Sequence, residues 1–168
     1  MKSLKALRLT LPVGLAALML TAAGSMSTAS AATHWVYRNA YENNCLTAST
    51  VTDNVWSGPC NEGPGTYWYW GSESTTDYFG VTFHRLVSLA TGDCLTTDAK
   101  TDTNAVWMSP CGSAPNQWWN GDGNNLETDS VWGGNYLRTS ANGDAVYTTP
   151  YTQAGIEPAR WTWYGTHN

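Results

Sequence analysis

The sequence predicts an all-β fold, a closed barrel of three internal repeats capped by hairpins, on three observations. One unit recurs three times, its segments are short and β-prone with no helical period, and its cysteines fall at matching places in two of the copies. The middle copy, ATGDCLTTDAKTDTNAVWMSPCGSAPNQWWNG, shows the grammar most fully. A Gly-Asp turn leads into Cys94-Leu95, a polar loop follows, and Ala105-Val106-Trp107 is the next apolar run. Pro110-Cys111 comes after it and Gln117-Trp118-Trp119 closes the unit. Cys45-Leu46, Cys94-Leu95 and Tyr136-Leu137 correspond, as do Val55-Trp56, Val106-Trp107 and Val146-Tyr147. With Trp70, Trp119 and Trp163 as the closing positions, equivalent residues recur after 49 and 42 residues at the start of the unit and after 49 and 44 at its end.

Taken in order, the chain opens on a basic start (Lys2, Lys5, Arg8), an apolar run from Leu9 to Leu20, and a small-residue stretch ending Ala29-Ser30-Ala31. This is the pattern of a secretory signal peptide over residues 1–31. The apolar run is short of the roughly 20 residues that span a bilayer, so membrane insertion is not expected and export is. The remaining 32–168 is the length of one domain, with repeats at about 36–71, 84–121 and 127–165. It carries 13 acids against Arg38, Arg85, Lys100, Arg138 and Arg160, a formal charge of −8. That balance argues against nucleic acid or anionic membrane as partners, since both reward clustered Lys and Arg.

Within the repeats, Asn54–Trp56, Ala105–Met108 and Ala145–Thr148 read as strands bounded by Gly, Asn, Asp and Pro. Asn142-Gly143 is a tight-turn signal of the hairpin type. Three units of some 40-odd residues favour a closed barrel over a solenoid, whose open ends would need caps. The four cysteines allow three pairings, and the repeat selects Cys45–Cys60 and Cys94–Cys111, because each pair holds the same two positions of its unit. In the chain-entropy model each such loop contributes roughly 3 kcal/mol. The third unit has Tyr136 and Tyr151 at those positions, where packing replaces the bond. No C-x-x-C occurs and His34, His84 and His167 have no ligand spacing, so neither a metal nor a cofactor is expected.

The threefold pattern C-L … P-C … Q-x-W resembles the ricin B-type β-trefoil lectin family. Arg38-Asn39-Ala40 and Val146-Tyr147-Thr148-Thr149-Pro150 are similar to segments of actinohivin-like secreted actinobacterial trefoils. The resemblance covers nearly all of residues 35–165 and implies twelve strands with one surface pocket per repeat. In the family an Asp directly after C-L takes the sugar hydroxyls, and here Thr47, Thr96 and Arg138 stand in its place. A Thr hydroxyl offers no charge-assisted pair. Other family positions are kept. Trp56, Trp107 and Tyr147 match a stacking aromatic, Asn116, just before Gln117, matches an Asn that bonds sugar hydroxyls, and Asn61 matches a ligand Asn of actinohivin-like repeats. The resemblance therefore makes Thr47, Trp56, Asn61, Thr96, Trp107, Asn116, Gln117 and Tyr147 the candidate ligand contacts. It assigns the closing Trp70, Trp119 and Trp163 to the core.

Ten Trp and nine Tyr against six Leu, one Ile and eight Val after the leader mean that aromatics must also fill the core. Strand alternation puts Trp68 and Trp70 on one face and Trp118 and Trp119 on opposite faces, which makes Trp118, with Trp132 by its turn, a candidate exposed aromatic. No Ser or Cys is paired with His in a nucleophile motif, and Asp98, Asp102, Asp122 and Asp129 lie in turn-like polar segments, so binding rather than catalysis is expected. The partner the resemblance implies is a carbohydrate or glycoconjugate. The alternative is a secreted protein recognised by a trefoil that has lost its sugar sites, which the missing Asp favours.

Overall fold

A computed structural model describes residues 33–168 apart from 99, 113–114, 130–133 and 152. The signal-peptide expectation and Trp132 lie outside the described residues. The rest forms twelve strands and no α-helix among the described residues, and it is a β-trefoil. The first repeat supplies β1 (Trp35–Asn39), β2 (Cys45–Ala48), β3 (Val55–Gly58) and β4 (Trp68–Thr76). The second supplies β5 (Thr82–Ser88), β6 (Cys94–Thr97), β7 (Asn104–Ser109) and β8 (Trp118–Asn120). The third supplies β9 (Glu127–Thr128), β10 (Asn135–Thr139), β11 (Val146–Pro150) and β12 (Trp163–His167).

In each repeat the outer pair of strands belongs to the barrel and the inner pair to a hairpin cap. The wall runs β12-β1-β4-β5-β8-β9, every neighbour antiparallel. The caps are β2–β3, β6–β7 and β10–β11. They close a ring on one another: Trp56 bridges Ala145, Trp107 bridges Asn54, and Tyr147 pairs with Ala105. Each hairpin aromatic is thus held against the neighbouring repeat's hairpin, which decides where the surface clefts form.

Leu46, Leu95 and Leu137 meet under the caps with the indoles of Trp68, Trp119 and Trp163, all fully buried. Each indole Nε1 donates to the carbonyl of its own repeat's leucine, Trp68 to Leu46 at 2.9 Å, Trp119 to Leu95 at 2.8 Å and Trp163 to Leu137 at 3.0 Å. This corrects the expectation for the first repeat, where Trp70 was assigned to the core. Trp70 is only half-buried and Trp68 takes the threefold slot. The register is set by a proline-led 3₁₀ turn before each closing Trp, Pro64–Thr66, Pro115–Gln117 and Pro158–Trp161. Pro fits there because the first N–H of such a turn has no partner to lose.

Trp70 then falls where the other repeats have Gly121 and Gly165, at the barrel mouth opposite the caps. A Cβ on Gly121 would sit 2.8 Å from Trp70 Cζ2, so glycine there makes room for the indole. Tyr37 meets Trp70 edge-on at 6.3 Å and stacks on Trp35 at 6.1 Å. Trp118 is half-buried rather than free, with the Arg85 guanidinium 3.7 Å over its ring.

The bridges are Cys45–Cys60 and Cys94–Cys111, as the repeat selects. In the third repeat Tyr136 and Tyr151 pack with ring centroids 5.3 Å apart. Asn142-Gly143 sits in a four-residue loop, closed by Ser140 N to Ala145 O at 2.8 Å, rather than in a two-residue turn. Gly143, at φ +104°, supplies the left-handed residue that this loop requires.

Near the mouth, burial and the charge of Asp77 push the carboxyls of Glu127 and Asp129 above the usual carboxylate range; for Glu127 a Tyr136 hydrogen bond opposes the shift. A carboxyl raised in the folded state stabilises below its unfolded value and loses that contribution as pH rises through the folded one. Glu127→Gln should therefore raise stability at pH 7 by under about 1 kcal/mol, the group being half-exposed, and shrink the gain seen on going to pH 5. Denaturant midpoints at the two pH values check it, and an unchanged difference would contradict it.

Candidate functional site

In the first repeat, Thr47 is nearly buried, and its Oγ1 donates back to Cys45 O at 3.0 Å. Trp56 lies directly across the β2–β3 pair from it, half-buried. Its indole folds over Gly58, where a Cβ would meet Nε1 at 2.5 Å. Asn61 is exposed and lines a different cleft, of about 620 Å³, on the outer face of β1 and β12, with Arg38, Tyr67 and Tyr164. Trp56 does not line that cleft, so the structure keeps the two residues apart.

In the second repeat, Thr96 and Gln117 are drawn together, but under the surface. Gln117 Nε2 donates to Thr96 Oγ1 at 3.1 Å, Ser109 Oγ at 2.7 Å and Pro110 O at 3.1 Å. Its Oε1 accepts from Gly112 N at 3.0 Å and Arg85 Nη1 at 3.2 Å. The amide is saturated inside the fold and buried. The same slot holds Thr66 in the first repeat, bonded to Asn61 O and Gly63 O at 2.8 Å, and Trp161 in the third, whose Nε1 donates to Thr149 Oγ1 at 3.0 Å. Thr66 thus ties the loop after its hairpin to itself, whereas Gln117 and Trp161 tie theirs back to the hairpin strands. Asn116 stands half-exposed on the 3₁₀ turn.

Trp107, directly across the strand pair from Thr96, lines a cleft of about 570 Å³ together with Val51, Asp53, Asp93 and Pro110 among others. Asp53 belongs to the β2–β3 loop of the first repeat, whose backbone is pinned by Met108 N to Asp53 O at 2.7 Å. Asp93 comes from the turn before β6. Among the described residues neither carboxylate accepts a hydrogen bond, leaving both open to a ligand hydroxyl. Sequence reasoning missed these two. Asp93 was visible but read as a turn residue, and Asp53 lies some fifty residues from Trp107 in the chain, brought to it only by the ring of caps.

In the third repeat, Arg138 occupies the family's Asp position. It is buried, with Nε on Thr149 Oγ1 at 3.2 Å and Nη1 on Thr139 O at 3.0 Å. Tyr147, half-exposed, has the Arg138 guanidinium 5.6 Å from its ring centre. Burial first, then the charge of Arg160, push Arg138 below its ordinary value.

No family model matches the sequence. No curated protein matches it either. Solved structures do match. A β-trefoil lectin of the Vibrio vulnificus haemolysin/cytolysin, described with N-acetyl-D-lactosamine bound, superposes with a TM-score of 0.62 at 22% identity over 82% of this chain and 96% of that one. A designed threefold symmetric protein superposes at 0.59 with 17% identity, over 79% and 97%. The C-half of an earthworm R-type lectin, described in complex with GalNAc, superposes at 0.54 with 14% identity, over 80% and 98%. At these identities the likeness is one of fold.

Proposed function

We propose that this chain is a secreted carbohydrate-binding β-trefoil of the ricin B type, and that its best-formed sugar site is the Trp107 cleft. The observation that carries this reading is the meeting of a half-exposed indole with two carboxylates that accept no hydrogen bond among the described residues, Asp53 and Asp93, in one cleft of about 570 Å³. A pyranose needs that pair of features, an aromatic face for its C–H side and carboxylate oxygens that take adjacent hydroxyls as charge-assisted acceptors. The two solved lectins of this fold, one described with a lactosamine and one with GalNAc, support the reading. Two disulfides suit a chain that folds in an oxidising compartment.

A glycan screen on the disulfide-intact protein, followed by titration with quenching of tryptophan fluorescence, tests it. Saturable binding should weaken at least about tenfold in Trp107→Ala and in Asp93→Asn, some 1.4 kcal/mol. Silence across glycans from the folded protein would end the lectin reading. A second reading, protein recognition, is favoured by the tip of the β4–β5 hairpin, where Tyr78 and Phe79 are 96% and 85% exposed. A pull-down from the secreted fraction that Tyr78→Ser/Phe79→Ser abolishes, with no glycan competing, would select it.

A further inference from the structure

The third repeat holds an arrangement that a neutral-sugar site does not explain. Arg138 is 8% exposed and faces no carboxylate, the one ion pair among the described residues being Arg160 Nη1 to Glu42 Oε1 at 3.1 Å. Arg is rarely this buried without a charged partner, because its charge cannot be given up and desolvating it is costly. Its neutral hydrogen bonds, to Thr149 Oγ1 and Thr139 O, use Nε and Nη1 and leave Nη2 without an acceptor among the described residues. Among the described residues Arg160 likewise donates only through Nη1, to Glu42, Thr139 and Ser140.

Both guanidiniums line a cleft of about 340 Å³, together with Tyr147, Ser140 and Asn142. Glu42 does not line it. Its carboxylate is held between Arg160 and Ser57 Oγ, the latter at 2.7 Å, and balances one of the two positive charges. One uncompensated cation therefore remains in a cleft at the small end of the ligand range, on a domain whose formal charge is −8. On such a surface a cationic concavity attracts anions that the rest of the molecule repels.

We propose that this cleft binds a carboxylate-bearing sugar, with Arg138 taking the carboxylate and Tyr147 the ring. The planar guanidinium fork matches a carboxylate edge to edge, and the half-exposed tyrosine beside it supplies a face for the sugar C–H groups. The site is composite, since Thr103, at its edge, comes from the second repeat's hairpin loop. Substitution of the family's acidic residue by an arginine has, on this reading, inverted the sign of the pocket rather than erased it. The inference deepens the carbohydrate reading but uses a different cleft from Trp107.

Titration of the disulfide-intact protein with the methyl glycosides of D-glucuronic acid and D-glucose, and with acetate, followed by calorimetry and ligand-observed NMR, tests it. The glucuronide should bind at least tenfold more tightly than the glucoside and than acetate, and should weaken as salt is raised. Arg138→Gln should remove that preference and Tyr147→Ala should weaken glucuronide binding. Tyr147→Ala keeps the buried arginine, so it remains informative where Arg138→Gln fails to fold. Equal binding of glucuronide and glucoside, acetate binding as well as the glucuronide, or a preference that persists in the folded variants would overturn the proposal. Neutral glycans bound at Trp107 with no response to the glucuronide would sink this inference and leave the proposed function standing.

Discussion

Trp68→Ala should cost about 3–5 kcal/mol of stability, while Trp70→Ala two residues away should cost less than half of that. The first figure is the range for emptying a fully buried aromatic site. It is pushed toward the upper end because the indole N–H that satisfies Leu46 O at 2.9 Å is lost with the ring. Trp70 is half-buried, so its removal opens a groove that water can enter instead of a sealed void. Denaturant unfolding of both variants, with slopes compared to confirm a common two-state transition, makes the check. Equal losses would mean that the core is not organised on Trp68, Trp119 and Trp163.

Gln117→Ala is the second large effect, about 3–5 kcal/mol, and it should come with little change in glycan affinity of the folded fraction. Removing the amide takes the donor from the carbonyl of Pro110 and the acceptor from the N–H of Gly112, and strips one bond each from Arg85, Thr96 and Ser109, whose hydroxyls keep only their bond to each other and that of Thr96 to Cys94 O. Each buried polar group left unpaired costs about 1–3 kcal/mol, and relaxation and water entry keep the total below the simple sum. Gln117→Glu sharpens the test, because it keeps the shape and the Arg85 contact while losing the Nε2 donors. Its loss should fall between wild type and alanine. A variant that stays fully stable but no longer binds glycan would show that Gln117 meets ligand after all.

Much of the architecture was legible because the core positions of the repeat are filled three times by chemically equivalent residues. Leu46, Leu95 and Leu137 all land in the core, and the cysteines had only one assignment that closes each bond within its own repeat. The register of the first repeat was not legible from its tryptophans. Trp68 and Trp70 lie on the same strand face, so alternation cannot choose between them. Pro64, matched with Pro115 and Pro158 at the start of a 3₁₀ turn, carried the missing signal. The candidate sites were less legible for a topological reason. Trp107 gains Asp53, and Tyr147 gains Thr103, across the ring of hairpin caps, and no spacing within one repeat encodes a neighbour from another. Gln117 looked like a surface amide because one residue type serves either to bond a ligand or to bond a loop. Only its burial and five partners distinguish the two.

The half-buried Trp70 also limits how this chain can be simplified. A perfectly symmetric descendant, made by tiling one repeat three times, is possible from the second or third unit, each of which brings glycine to the mouth. Tiling the first would aim three indoles at the space that one now occupies, and the 2.8 Å approach to Gly121 shows that even a methyl group on a neighbouring unit is too much. The three units are therefore not interchangeable parts. One of them carries the stopper, and the other two are shaped to receive it.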